Sequence, residues 1–395
     1  SFPMSIPLAT SQYEVIRHIG NTKYSSIYMV RCITDGQLFS MEQMDLETAP
    51  LEIKTIHHDI SYWSNFSHDN MLKYYGSFIE QNTLYIIFEM VCDGNLLDIL
   101  HFKYADGIKD ESLIATILQG VVLFLNYYHE NHHVHRKLET NNILITKKGD
   151  IKVSGFWNAR SLIEDGKLHP SRGSIVPSSC YSSPEIIVKG TGYNQSTDIW
   201  SLGIIALELA LGKAPYSNLE PLRQIKAIID DDPPNLPIET SKTPVFSPIF
   251  RDFISQCLQK DHFKRPTASE LLKHKFFARA KDNKYIYINL IAHMPPLAHR
   301  LTHKTKSGSH DSLNQNRSNT LIVSSIDSFD FCGFDTGHDG QNKSRSMTQI
   351  SPRRYSQPSK NITNSINLPD KKEHEGPLKV VQRGRFSYFI PETKD

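Results

Sequence analysis

The hydrophobic pattern of this chain changes period once, and that change restricts the fold more than any other feature. Up to Glu89 the apolar runs are short, rich in β-branched and aromatic residues, and separated by turns: Tyr13–Ile19, Ser26–Cys32, Gln37–Met44, Tyr74–Ile79 and Thr83–Glu89. One helix-like segment, Leu51 to Asn65, interrupts them. From Asn95 onward apolar residues recur at helical spacing, and Ser112–His129 sets Leu113, Ile117, Val121, Leu125 and Tyr128 on one face. Asp198–Leu211 and Phe250–Gln259 read as further helices. A small β-rich unit followed by a larger helical one predicts an α+β, two-lobed plan.

Past about Lys281 the character changes. Residues 302–377 are dominated by Ser, Asn, Gln, Lys and Arg, with few periodic apolar positions, and are expected to be a disordered tail. A short apolar and basic island, 378–390, follows. The predicted division is 13–91, 92–281, an extension over 282–301, the linker 302–377 and the island.

Charge is nearly balanced at a net +2, which gives no case for nucleic-acid binding. Cys32, Cys92, Cys180, Cys257 and Cys332 lie far apart with no CxxC pair, which argues against a disulfide scaffold or clustered zinc. Ser1–Thr10 has neither the basic nor the apolar region of a secretory signal. The apolar run Ile199–Leu211 is too short to cross a bilayer and carries Glu208, so no membrane span is expected. A soluble, cytoplasmic protein is the expectation.

The motifs narrow the plan. His135-Arg-Lys-Leu-Glu-Thr-Asn-Asn142 precedes Ile143-Leu-Ile145, Val153-Ser-Gly-Phe-Trp157 comes next, and Ser183-Pro-Glu185, Asp198-Ile-Trp-Ser-Leu-Gly203 and Arg265-Pro266 complete the series. In that order and spacing they resemble the protein-kinase fold over residues 13–277, standing at its HRDLKxxN, DFG and APE positions. Phe246–Leu258 and Arg265–Phe277 are similar to the Ste20 group, including Fray/SPAK-like kinases and STRAD adaptors. Lys284-Tyr-Ile286, Pro295-Pro-Leu297 and Arg383-Gly-Arg-Phe386 resemble plant Fray-like members.

The residues that should do chemistry are the ones that differ. Such kinases neutralise phosphate charge with a lysine and Mg²⁺ and orient the attacking hydroxyl with an aspartate. Here the glycine-rich loop, Ile19-Gly-Asn-Thr-Lys-Tyr-Ser-Ser-Ile27, keeps only Gly20. Glu42 stands at the strand lysine and Asp59 at its helix partner. Lys137 replaces the catalytic aspartate, Glu139 the phosphate-contacting lysine and Gly155 the metal-binding aspartate, leaving Asn142 as the retained metal ligand. A missing proton acceptor alone removes about 10²- to 10⁴-fold of rate. The resemblance therefore implies a pseudokinase. Its scaffold positions are kept: Trp63, Tyr74, His135 and Phe156 for a spine between lobes, Glu185 with Arg265 for an ion pair, Asp198 for the catalytic-loop backbone.

Several features have an ordinary reading beside the functional one. Asn142 serves either as a metal ligand or as a backbone-bonding side chain. The cluster His129, His132, His133 and His135 fits a bland surface loop better than a metal site: three fall in a helix-to-loop connection and one has a packing role in the resembled fold. Ser174 and Ser178 align with activation-loop phosphosites, at even odds with plain loop serines.

Three functions stay open. The favoured one is an inactive Ste20-type adaptor or scaffold whose protein partner is an active kinase or an MO25-like scaffold, as STRAD, with glycine at the position of Gly155, suggests. The second is an unorthodox ATP-dependent Ser/Thr kinase with Lys23 as a relocated lysine. The third is a nucleotide sensor without turnover. ATP, if bound, would use Ile19, Gly20, Ile27, Leu144 and the hinge Glu89–Val91 around the base. Binding should be weak and little helped by Mg²⁺. Arg383, Arg385 and Phe386 suit a docking peptide, and Arg385-Phe-Ser-Tyr388 resembles the Arg-Phe-x-Val/Ile peptides recognised by Fray-like C-terminal domains.

Overall fold

Strand β5 (Thr83–Glu89) explains the sheet, because it buries Leu84, Ile86, Ile87 and Phe88 and so needs neighbours on both edges and both faces. In the computed structural model it pairs with β3 (Leu38–Asp45) on one side and β4 (Tyr74–Glu80) on the other. With β1 (Tyr13–Asn21) and β2 (Ser26–Cys32) this makes a five-stranded antiparallel sheet of order β1-β2-β3-β5-β4. The structure describes residues 6–22, 25–48, 53–91, 94–164, 167–168, 180–188, 192–237, 246–295, 378–383 and 386–391.

One face of the sheet buries Tyr13, Val30, Cys32, Phe39, Met41 and Ile87. The other carries Met44, Leu84, Ile86 and Phe88 into a larger core that continues through the helical lobe. Helix α1 (Ile53–Asn65) joins that core through Ile56, Ile60 and Trp63, a helical spacing of four and three.

The helical lobe is built on α3 (Glu111–Glu130) and α5 (Ser196–Leu211), preceded by α2 (Leu96–Lys103). Asp110 caps α3 by accepting from the Ser112 N–H at 2.9 Å. Helix α5 is buried almost throughout and ends at Gly212, whose φ is +79°. A Cβ there would lie 2.0 Å from the Ala105 carbonyl oxygen, so glycine is required on both counts. Helix α4 (Pro184–Ile187) precedes α5; α6 (Pro221–Asp230) and α7 (Pro248–Cys257) follow it.

Among the described residues, one helix, α3, is long and apolar enough to cross a membrane, and the Ile199–Leu211 run lies in the buried helix α5. The apolar side chains of α3 are packed in the lobe's core. The helical half also holds short strands absent from the sequence reading: β6 (His133–Val134) pairs with β9 (Arg160–Ser161), and β7 (Ile143–Ile145) with β8 (Ile151–Val153). Runs of two or three residues are too short to show a period of two.

The extension is bonded to this lobe. Asn283–Ile286 continues into a wider turn over Tyr287–Ile291, burying Ile286, Leu290 and Ile291. Tyr285 donates to Asp110 at 2.6 Å, and Tyr104 donates to the Asn289 carbonyl at 2.9 Å. Cys32, Cys180 and Cys257 are buried free thiols.

A second compact unit falls within Gly333–Asp395. The expected island is a β-hairpin there, Leu378–Arg383 against Phe386–Pro391, with Arg383 opposite Phe386 in register. The segment 302–377 lies outside the described residues.

Candidate functional site

The loop that starts at His135 is organised from within the helical lobe by Asp198. Its carboxylate accepts from the backbone N–H of His135 and of Arg136, each at 2.8 Å, and contacts His129 Nε2 at 2.9 Å. Burial alone would raise Asp198; the bond and charge of His129 and the bond from the His135 backbone N–H outweigh it and hold the carboxyl below the ordinary value. These bonds fix Arg136 at φ +64°, a left-handed conformation uncommon for a residue with a Cβ. Its guanidinium donates to the Tyr193 hydroxyl at 2.6 Å.

His135 is fully buried, and burial pushes its imidazole pKa down, so the ring is neutral. Its Nε2 lies 3.0 Å from the Ser154 carbonyl, which can only accept, and its Nδ1 takes the Lys137 N–H at 3.3 Å. The proton therefore sits on Nε2. Phe156 packs edge-on against His135 at 5.2 Å, Trp63 meets Phe88 at 5.9 Å, and Tyr74 meets Phe88 at 6.0 Å. Lower in the lobe, Arg265 makes a two-pronged pair with Glu185 at 2.6 and 2.9 Å. The scaffold roles expected for Asp198, Glu185 and Arg265 are thus all filled.

The chemical positions look different. Glu42 is buried on β3 and its carboxylate accepts hydrogen bonds from the Ser25 hydroxyl and, at 3.0 Å, from Trp157 Nε1. Burial pushes this carboxyl above the ordinary value, while bonds from Ser25, Trp157 and Thr22 pull it part of the way back. Asn142 donates from its amide to the Lys137 carbonyl at 2.8 Å, which is the backbone-bonding reading of that side chain. Gly155 has φ +87°, and a Cβ there would come within 2.6 Å of the Asn142 amide carbon. Glu139 is buried; nearby, burial raises the Glu208 carboxyl, bonds accepted from Thr140 and Tyr181 lower it in part, and the charge of Glu139 adds a smaller upward push.

Ile19, Ile27 and Leu144 are half-buried and Gly20 is buried, with Gly20 opposite Ile27 in register. Glu89 directs its carboxylate to the Lys73 N–H at 2.8 Å and to Lys152 at 3.2 Å; Val91 is half-buried beyond it. The histidines do not converge: His129 goes to Asp198, and His133 packs on Phe66 at 4.6 Å. Among the described residues no group of three or more His, Cys, Asp or Glu side chains is placed to hold a metal ion.

Lys23, Ser174, Ser178 and Arg385 lie outside the described residues, as do the side chains of Asp59, Arg383 and Phe386. The sequence pattern assigns no role to Trp157 or Ser25. An acidic residue on a buried strand demands donors, and that demand was the available signal. The donor itself is 115 positions away, beyond any local spacing.

A sheet-rich lobe, a helical lobe and a catalytic loop held by a buried aspartate define a two-lobed protein kinase domain. The protein kinase domain family matches residues 13–277, and the chain belongs to that family. It is 34% identical over 319 residues to germinal center kinase 3 of Caenorhabditis elegans, covering 76% of this chain and 54% of that protein. It is 35% identical over 295 residues to serine/threonine-protein kinase fray1 of Dictyostelium discoideum, covering 74% and 50%. Serine/threonine-protein kinase sid1 of Schizosaccharomyces pombe is 33% identical over 281 residues, covering 71% and 57%. These are Ste20-family relatives, and the chain spans about half of their length. Protein kinases in general use ATP with Mg²⁺.

Proposed function

We propose that this chain is a Ste20-type pseudokinase that acts by shape, as an adaptor or scaffold for a protein partner such as an active kinase or an MO25-like scaffold. The observation that carries the reading is Glu42: a buried carboxylate, bonded to Ser25 and Trp157, stands where a phosphate-binding kinase needs a cation. Lys137 and Gly155 remove the proton acceptor and a metal carboxylate from the same cleft, and Asn142 is bonded to backbone. The donor set present does not fit a magnesium–triphosphate group, and no catalytic step is derived through one.

The test is phosphate transfer by purified protein with Mg²⁺- or Mn²⁺-ATP and a generic protein substrate. The expected result is no transfer above a Lys137→Ala control. The relatives' names as serine/threonine kinases favour the second reading, an unorthodox kinase of that class. Robust transfer that disappears in Lys23→Ala would establish it and overturn the first. Mg²⁺-independent nucleotide binding without transfer would support the sensor.

A further inference from the structure

We infer that Glu42 is a latch that draws the glycine-rich loop, the turn after Gly155 and helix α1 together without nucleotide. The residue is fixed on β3, in register between Ile27 of β2 and Ile86 of β5. From there its carboxylate reaches two ways. Toward the loop it accepts from Ser25, at a turn closed by the Thr22 N–H donating to the Ser25 carbonyl at 2.8 Å. Toward the cleft floor it accepts from Trp157 Nε1 at 3.0 Å.

Trp157 extends the chain of contacts. Its indole packs edge-to-face on Trp63 of α1, with centroids 4.5 Å apart and planes at 81°. It sits in the turn Phe156–Asn158, whose Phe156 rests on His135 of the catalytic loop. Loop, strand, helix and catalytic loop are therefore joined through one carboxylate, two indole rings and the neighbouring Phe156 ring. In a catalytic kinase a lysine–glutamate pair and the nucleotide's phosphates perform that joining.

The donor chemistry shows that position 42 is built for an acceptor. An indole N–H can only donate, and a serine hydroxyl supplies the second proton. An ammonium at 42 would set donor against donor at Trp157. Each hydrogen bond to a buried charged or polar group is worth enough to matter, and leaving its partner unsatisfied is worse. Side chains of this chain thus occupy the contacts that nucleotide phosphates would otherwise organise.

Hydrogen exchange on the full chain tests the latch, with no phosphate acceptor present, so the outcome is separate from whether phosphate is transferred. Glu42→Met removes the acceptor at similar volume, Trp157→Phe removes the N–H but keeps a ring on Trp63, and Glu42→Gln keeps an accepting oxygen. In the first two, amides of 19–27 and 53–65 should exchange about tenfold faster, matching the loss of one such bond. Amides of α3 and α5 should be unchanged, which excludes general unfolding. Glu42→Gln should stay close to the parent, and millimolar Mg²⁺-ATP should not slow exchange in the parent. Parent-like protection in Trp157→Phe, or a parent protected only after Mg²⁺-ATP is added, would overturn the inference. Should Glu42→Met fail to fold, Trp157→Phe against Glu42→Gln still decides it.

Discussion

The floor of the helical lobe and the cleft above it descend from the same motif series, yet they treat charge in opposite ways. On the floor, Glu185 meets Arg265 and Asp198 meets two backbone N–H groups and His129, each carboxylate facing donors. In the cleft, Glu42, Lys137, Glu139 and Gly155 stand where the proposed pseudokinase reading expects a phosphate-binding, proton-accepting or metal-binding group, and Glu42 is held by the neutral donors Ser25 and Trp157. The lesson is that backbone geometry and phosphate chemistry are separable demands on this fold. Asp198 still holds Arg136 in its left-handed conformation although no aspartate follows it at position 137. A loop shaped for catalysis persists because the floor shapes it.

The largest expected effect lies on the floor. Arg265→Met leaves Glu185 buried without its cation, and also removes donors to the Gln259 and Ser196 carbonyls and a contact over the Trp200 ring. Urea unfolding at pH 7 should show a loss of about 3–5 kcal/mol, the range for a broken buried pair. The pH dependence has a definite sign. Burial would raise both Glu185 and Asp198, but Arg265 at the first and His129 with His135 at the second hold them below 4.5 and 3.8. Their contribution is fully present above those ordinary values and is lost as pH falls through the lower folded-state values. The parent should therefore weaken only in acid, and Arg265→Met should lose the part of that limb due to Glu185. An unchanged acid limb in the variant would mean the floor does not carry the stability assigned to it.

Glu42 should behave in the opposite sense. Burial raises its carboxyl above 4.5, so the folded state holds that proton more tightly than the unfolded chain. Stability is then greatest below the ordinary value and declines as pH rises through the folded-state value. Glu42→Gln keeps an oxygen for Ser25 and Trp157 but has nothing to ionise. It should be more stable than the parent at neutral pH. Melting curves across pH would show the gain vanish in acid. A destabilised Glu42→Gln at pH 7 would show that the cleft carboxylate is favourable as a charge, like those on the floor.

Much of this contrast is legible in the sequence, and what is not has a physical reason. Periodicity placed the sheet and the long helices, because α3 repeats an apolar face along its length and β5 carries the apolar run Leu84–Phe88. Motif spacing placed Asp198, Glu185, Arg265 and His135, whose partners are prescribed by one backbone geometry. The bond from Trp157 to Glu42 was hidden, since both residues depart from the family pattern and neither has a prescribed partner. The short strands β6 to β9 were hidden by length alone. Asp59 was expected to face Glu42 as a second carboxylate; its side chain lies outside the described residues, and the donors found at Glu42 are Ser25 and Trp157.

Nucleotide binding gives a smaller effect and sharpens the contrast from the ligand's side. Ile19, Ile27 and Leu144, all half-buried, are the residues expected at the base, whereas the expected phosphate end carries Glu42. Adenosine and ATP should bind within about tenfold of one another, and Mg²⁺ should change ATP affinity by less than about tenfold, or 1.4 kcal/mol. Calorimetric titration with and without the metal checks this. A larger gain with Mg²⁺ would place metal ligands in the cleft and weaken the pseudokinase reading.

The smallest effect on stability should come from Phe386, and for a reason neither region of the kinase unit supplies. Phe386 opens the second strand of a hairpin in the separate C-terminal unit, in register with Arg383. An aromatic that follows two arginines, Arg383 and Arg385, has the composition of an interface anchor: a large apolar ring with guanidinium groups able to take carboxylates in pairs. If the hairpin docks on a partner, Phe386→Ala should leave the kinase unit's unfolding free energy within about 0.5 kcal/mol of the parent, as surface changes do. The same substitution should weaken capture of a partner presenting an acidic, apolar-walled groove by about 2 kcal/mol or more, the usual size for such an anchor. An isolated Fray-type C-terminal domain is the probe, read by a binding titration against the parent and Phe386→Ala chains. A melting temperature that drops in the variant while binding to that domain stays absent in both would assign Phe386 to internal packing and remove the docking role.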